Sequence, residues 1–154
     1  MRFPIAAALL VAFAGANASA QAAKHSQPEL KWGPAPAVFP AGAQMAVLQG
    51  DPTKNGLYTA RLKLPNGYMI APHWHPTDEN VTVISGTFKV GMGKKVDKAN
   101  MLTLGAGGFV VAPANEAHYA EAVGPTVVQV HAMGPFALTY VNPADMPKAG
   151  VAKK

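Results

Sequence analysis

Residues 67–86 decide the fold of this chain, and they read GYMIAPHWHPTDENVTVISG. His73-Trp74-His75 falls on a predicted strand, Tyr68 to His75, where alternate side chains point to the same face. Both imidazoles therefore face one side, about 6.6–7 Å apart along the backbone, while Trp74 faces the other. A turn follows, and Glu79 opens the next strand. If that strand pairs back on the first, the carboxylate returns to the imidazole face, where all three groups can converge on one metal ion.

Outward from this stretch, the sequence alternates short strand patterns with turns rich in Gly and Pro. Residues 58–64 alternate polar and apolar side chains, which is typical of a strand with one wet face. Pro65-Asn66-Gly67 then predicts a tight hairpin turn. The only helix we expect is a short one from Asn142 to Asp145. The pattern predicts an all-β sandwich or barrel with little helix, and its further strands are expected at 44–48, 79–85, 87–91, 108–112, 117–122, 126–133 and 137–141.

Two segments of this chain resemble the motifs of the cupin superfamily. The first motif is Gly, five residues, His-x-His, three or four residues, Glu, six residues and Gly, and residues 67–86 match every fixed position. The second is Gly, five residues, Pro-x-Gly, two residues, His, three residues and Asn, and residues 107–122 match its first Gly, its Pro and its His. Asn115 replaces the turn glycine, which is tolerable because Asn also accepts positive φ. Ala122 replaces the last Asn, which has no ligand role in the family.

The resemblance implies a single cupin β-barrel of the jelly-roll type, built from two antiparallel sheets. It also implies one divalent transition metal (Mn, Fe, Ni, Cu or Zn), held by His73, His75, Glu79 and His118. Three imidazoles and one carboxylate suit these metals, and an octahedral ion would keep two positions for water, substrate or dioxygen. Cupins with these ligands include dioxygenases, decarboxylases and isomerases, and the fold does not choose among them. The alternatives are a binding or sensing module of the cell envelope without turnover, and a structural domain whose site has lost its metal.

Further site candidates lie on the neighbouring strands. Met69, Val81 and Phe88 are expected in the pocket or the core, where an apolar wall would favour a small, partly hydrophobic ligand. Gln129 and His131 share one face of the strand 126–133. If that face is internal, Gln129 contributes to a substrate pocket, and His131 serves as a general base near the metal. If it is external, both are solvated, because alternation alone does not say which face is inside.

The chain divides into three parts by composition. Residues 1–20 combine Arg2, an apolar run of about a dozen residues and Ala18-Ser19-Ala20, which is the pattern of a secretory signal peptide. The run is shorter than the roughly 20 residues that span a bilayer. We therefore expect export to the periplasm or the exterior, with no membrane association after signal removal. Residues 21–45 are rich in Pro and predict an extended arm anchored by Trp32 and Phe39, and residues 46–154 form the barrel domain.

Charge and cysteine content narrow the function classes. The net charge is +5, but the lysines are scattered and there are only two arginines, so no concentrated basic face for nucleic acid is expected. The chain has no cysteine, which excludes disulfides, thiolate zinc sites and thiol catalysis. The expected partners are a small-molecule ligand or substrate and a second copy of the chain in a homodimer, which the Pro-rich arm could help to form.

Overall fold

A computed structural model describes residues 29–148 of the chain, and the predicted signal peptide, residues 21–28 of the predicted arm and the last six residues lie outside them. Strands make up about half of the described residues and nearly all of their regular structure, with two single-turn 3₁₀ helices at Lys98–Asn100 and Pro143–Asp145. The strands are β1 (Gly33–Pro34), β2 (Gln44–Gln49), β3 (Gly56–Leu64), β4 (Met69–Trp74), β5 (Glu79–Met92), β6 (Leu102–Leu104), β7 (Phe109–Ala112), β8 (His118–Gly134) and β9 (Thr139–Tyr140). The expected all-β cupin architecture is confirmed.

Two long strands organise the fold. β5 has 14 residues and β8 has 17, and they pair antiparallel along most of their lengths. β8 also pairs with β3 through residues 126–134 and with β4 through residues 118–121, while β5 pairs with β6 and β7. The hydrogen-bonded network is therefore one continuous, curled antiparallel sheet, and its two halves are joined by strands that belong to both.

From the sequence we expected two shorter strands in place of β5 and two in place of β8. The expected break in β5 is at Gly86, where the register shifts but pairing continues. Gly86 has a φ of 84°, and a Cβ there would lie 2.5 Å from the carbonyl oxygen of Pro125. A side chain at this position would clash with β8, so glycine lets the two strands bend together without separating.

The concave side of the sheet holds the core. Val81 and Val83 of β5 face Val128 and Val130 of β8, and all four are buried. The amino-terminal segment closes over this side, because Phe39 and Ala43 belong to the same buried cluster. Burial of these apolar side chains is the main force that keeps the sheet curled.

The amino-terminal segment forms more regular structure than the sequence predicts. Gly33 and Pro34 pair with Met45 and Gln44 at the outer edge of β2. Phe39 is buried, whereas Trp32 is half-buried and lies under the ammonium group of Lys63, which is 4.2 Å from the ring centroid. The described part of the arm therefore packs on its own domain.

Candidate metal centre

Three histidines meet inside the curled sheet. His73 lies in β4, His75 follows that strand, and His118 is the first residue of β8, where it pairs directly with His73. Each is at most 5% exposed. One ring nitrogen from each lies within 4.8 Å of those of the other two. Since their strands are hydrogen-bonded neighbours, the backbone itself brings the three imidazoles together.

Each imidazole is oriented by a backbone carbonyl. The Nδ1 atoms of His73, His75 and His118 lie 2.8, 2.7 and 3.1 Å from the carbonyl oxygens of Ala71, Ala137 and Glu116, respectively. A carbonyl oxygen only accepts, so Nδ1 must be the protonated nitrogen in each ring. The Nε2 atoms then carry free lone pairs, which is the usual arrangement of metal-binding histidines.

The Glu79 carboxylate lies beside this cluster. One of its oxygens is 3.6 Å from Nε2 of His75 and 3.7 Å from Nε2 of His118, and the side chain is 15% exposed. Two donors on one ion at roughly 2.1 Å each are at most roughly 4.2 Å apart, so these separations leave space for a shared ion. The three imidazoles form the compact part of the site, and Glu79 lies at its edge.

The electrostatics also suit a cation. Among the described residues, the buried Nε2 atoms of His75 and His118 have no hydrogen-bond partner, which is costly unless another group satisfies them. Burial, with the nearby His118 and His75, lowers the pKa of His73 to about 3, so that its imidazole is neutral at pH 7. Burial alone would raise the pKa of Glu79, but the three histidines, His118 first, outweigh it and lower that pKa. A neutral His73 beside an ionised carboxylate fits a divalent transition metal.

The histidines open into an apolar cavity. The cavity has a volume of about 30 Å³. Apart from the three histidines and Glu79, every lining residue is apolar, and these are Phe39, Leu62, Leu64, Ile70, Val81, Phe88, Val90, Val110, Ala112, Ala120, Val128 and Val130. Val81 and Phe88, two of the expected pocket residues, are in this wall.

Met69, expected in the pocket or core, is instead half-buried outside the cavity wall, and its neighbour Ile70 lines the cavity. The cause is a β-bulge in β4. Ile70 pairs with Ala120 and His73 with His118, so three steps along β4 match two along β8. The extra residue reverses the alternation, and counting back from His73 in twos selects the wrong face.

Gln129 and His131 lie on the outer face of β8, which corrects the assignment of Gln129 to the pocket and of His131 to the metal site. The intervening Val130 lines the cavity, and neighbours on a strand point to opposite faces. His131 Nδ1 is 3.0 Å from the hydroxyl of Thr59, and its Nε2 is 3.0 Å from Nε2 of Gln129. Gln129 in turn accepts a hydrogen bond from Arg61. Since this polar row is on the convex side, His131 is not a general base at the metal site.

Phe39 is one of the cavity residues that the sequence does not assign to the site, and it comes from the most distant segment. It lies 34 positions before His73, outside both motifs, and local spacing carries no signal for its location. Its ring stacks on that of Phe136, with centroids 5.6 Å apart and planes at 7°. Phe136 also lies 5.8 Å from the ring of His75. An isolated aromatic residue in a Pro-rich segment is the only indication that it anchors there.

Comparison with known proteins agrees with this fold. Residues 60–134 match the cupin domain family model, and the chain belongs to the cupin superfamily. A proposed acetylacetone dioxygenase from Methylibium petroleiphilum PM1 is 28% identical, with a TM-score of 0.62 over 85% of this chain and 89% of that one. The polyketide cyclase RemF from Streptomyces resistomycificus has 15% identity and a TM-score of 0.67, over 82% and 90% of the two chains. KdgF from a Halomonas species has 22% identity and a TM-score of 0.54, over 71% and 93%.

The last two similarities concern the fold alone. No curated protein matches the chain. In residues 29–148, no helix has the length and apolarity needed to cross a membrane.

Proposed function

We propose that this protein is a metal-dependent oxygenase that cleaves a small, uncharged substrate with two carbonyl oxygens. The metal would be held by His73, His75 and His118, with Glu79 as a fourth ligand. The observation that carries the proposal is the contrast within one cavity, in which every polar group belongs to the candidate ligands and the rest of the wall is apolar.

The cavity wall restricts the substrate class. It contains no Lys, Arg, Ser, Thr, Asn or Gln, so nothing in it can pair with a carboxylate, a phosphate or the hydroxyls of a sugar. A substrate with such groups away from the metal would leave them buried without partners, at a cost of about 1–3 kcal/mol each. The favoured substrate places all its polar atoms at the ligands and its carbon atoms against the wall. A 1,3-diketone meets this description.

The same wall favours oxygenation over the other reactions that the cupin resemblance implies. An isomerase needs a positioned acid or base, and the lining offers no titratable group besides the ligands. The similarity to the proposed acetylacetone dioxygenase, at 28% identity over most of both chains, supports a diketone as the substrate.

In such a cleavage one carbon–carbon bond of the diketone breaks, and both atoms of dioxygen end in the two products. Pentane-2,4-dione would give acetic acid and methylglyoxal, so no external reductant is needed. A bound divalent metal supplies Lewis-acid and dioxygen chemistry at this site. The protein's own residues hold three lone pairs in fixed directions through the Nδ1 hydrogen bonds and exclude water with an apolar wall. The Glu79 carboxylate offsets part of the metal charge.

The test combines metal analysis with oxygen consumption. Purified protein loaded with Fe²⁺ is expected to consume dioxygen when pentane-2,4-dione is added and to form methylglyoxal in equal amount. His75→Ala should lose the metal and the activity while keeping its far-ultraviolet circular dichroism. His131→Ala is the matched control and should keep both. Bound metal without oxygen uptake from diketones, keto acids, phenols or thiols would contradict the proposal and favour a binding or sensing module.

We also propose that the protein acts after export, in the periplasm or outside the cell. The support is the pattern of residues 1–20, which predicts a signal peptide for the general export route. An unfolded exported chain has no assembled site, so metal loading would follow export. Fractionation of the native host, with mass spectrometry of the amino terminus, is expected to find a chain that begins at Gln21 outside the cytoplasm.

A further inference from the structure

A second apolar chamber adjoins the metal cavity. The two share four wall residues, Phe39, Leu62, Glu79 and Val130. The chamber extends away from the histidines towards the buried side chain of Ala60. Its volume is about 20 Å³, and apart from Tyr58 and Glu79 its wall is apolar. A space lined mainly by apolar side chains favours an alkyl group over water, because water there would find few hydrogen-bond partners.

The shared wall is held firmly in place. Phe39 stacks on Phe136, and the carbonyl oxygens on either side of it are both fixed by buried tyrosines. The Tyr140 hydroxyl donates to the carbonyl of Val38, and the Tyr68 hydroxyl donates to the carbonyl of Pro40. The Phe39 ring is held by the stack on Phe136 and by the two hydrogen bonds to the flanking carbonyls. It therefore does not collapse into the adjacent space, and the fold keeps the chamber open.

We propose that this chamber is a subsite for one alkyl arm of the substrate and that Phe39 and Ala60 determine how long that arm can be. The inference rests on the proposed diketone substrate. Glu79 borders both spaces, so a diketone bound by its oxygens at the ligands has one end directed at the chamber. A chamber of this volume takes only a short alkyl group, and specificity would depend on chain length at that end.

Binding of two diketones measures the subsite without turnover. Zn²⁺ is not redox-active, so calorimetry on the zinc-loaded protein can compare pentane-2,4-dione with heptane-2,4-dione, which is longer by two methylenes at one end. Each methylene that enters the chamber should improve affinity about fourfold, from roughly 0.8 kcal/mol per buried methylene. Ala60→Val adds two methyl groups to the chamber alone and should remove this advantage while leaving pentane-2,4-dione unchanged. Ala43→Val, at a buried alanine outside both walls, is the matched control and should keep it.

A xenon titration of the metal-free protein tests the chamber independently of metal and substrate. Xenon should shift the methyl resonances of Ala60 and Met45 and leave that of Ala43 in place. The subsite is refuted if these two methyls move no more than Ala43, or if Ala60→Val and Ala43→Val change the diketone preference equally. If neither diketone binds the zinc-loaded protein, the proposed substrate class fails, and the xenon result alone then decides whether the chamber takes apolar groups.

Discussion

Replacing His75 with alanine should abolish the stabilisation of the fold by divalent metal. A ligand that binds only the folded state stabilises it by about 2.7 kcal/mol at a free concentration 100 times its dissociation constant. An unfolding entropy of about 2.1 cal/mol/K per residue, over the roughly 120 described residues, gives about 0.25 kcal/mol/K. The wild-type melting temperature should therefore rise by about 10 °C on adding metal and return when a chelator is added. His75→Ala should show no rise.

His131→Ala is the control that makes this test specific. His131 is also a histidine on a central strand, but it lies on the outer face and contacts Thr59 and Gln129. Losing these hydrogen bonds should cost about 1–2 kcal/mol with or without metal. The melting temperature of His131→Ala should therefore be lower than that of the wild type without metal, and it should still rise by about 10 °C when metal is added. The measurement is circular dichroism against temperature, with Zn²⁺ or Mn²⁺ and then with chelator. A full metal shift in His75→Ala, or its loss in His131→Ala, would refute the assignment of the site.

Tyr68→Phe and Tyr140→Phe should each lower the free energy of unfolding by about 1 kcal/mol in urea titrations. Each removes a buried hydroxyl that donates a hydrogen bond to the segment around Phe39. Unchanged stability in both variants would show that these hydrogen bonds do not hold the segment. Burial raises the pKa of Tyr140 to about 12 and that of Tyr68 beyond its usual range. The free energy of unfolding should therefore keep its full value below about pH 10 and fall as the pH rises towards 12, because the phenols ionise more readily in the unfolded chain. Ultraviolet absorbance should show these two phenols ionising only when the protein unfolds. Ionisation of all four tyrosines before unfolding would contradict this prediction. Light scattering should give the mass of a dimer, and a monomer at micromolar concentration would exclude the predicted homodimer.

The placement of His73 and His75 on one face could be predicted from sequence because it depends on local geometry. In His73-Trp74-His75, strand alternation is enough to place both imidazoles on one face. Glu79 reaches the site by a different route from the expected one, because in the described residues β5 pairs with β7 and β8, whereas β4 pairs with β8 and β9. The conformation of Asn115 is also local: Asn was expected to accept the positive φ of the turn glycine that it replaces, and its φ is 63°. Both local features depend on backbone geometry over a few residues, which the residue types themselves specify.

The sequence by itself thus predicted the strand-rich fold and the placement of His73 and His75 on one face, and the resemblance to the cupin motifs supplied Glu79 and His118 as their partners. Only the tertiary structure decided which face of β8 is internal, because alternation is symmetric and burial of Val128 and Val130 breaks the symmetry. It also decided the bulge in β4 that turns Met69 away, and the closure of the cavity by Phe39. Both depend on contacts between residues far apart in the chain, and such contacts leave no periodic mark in the sequence.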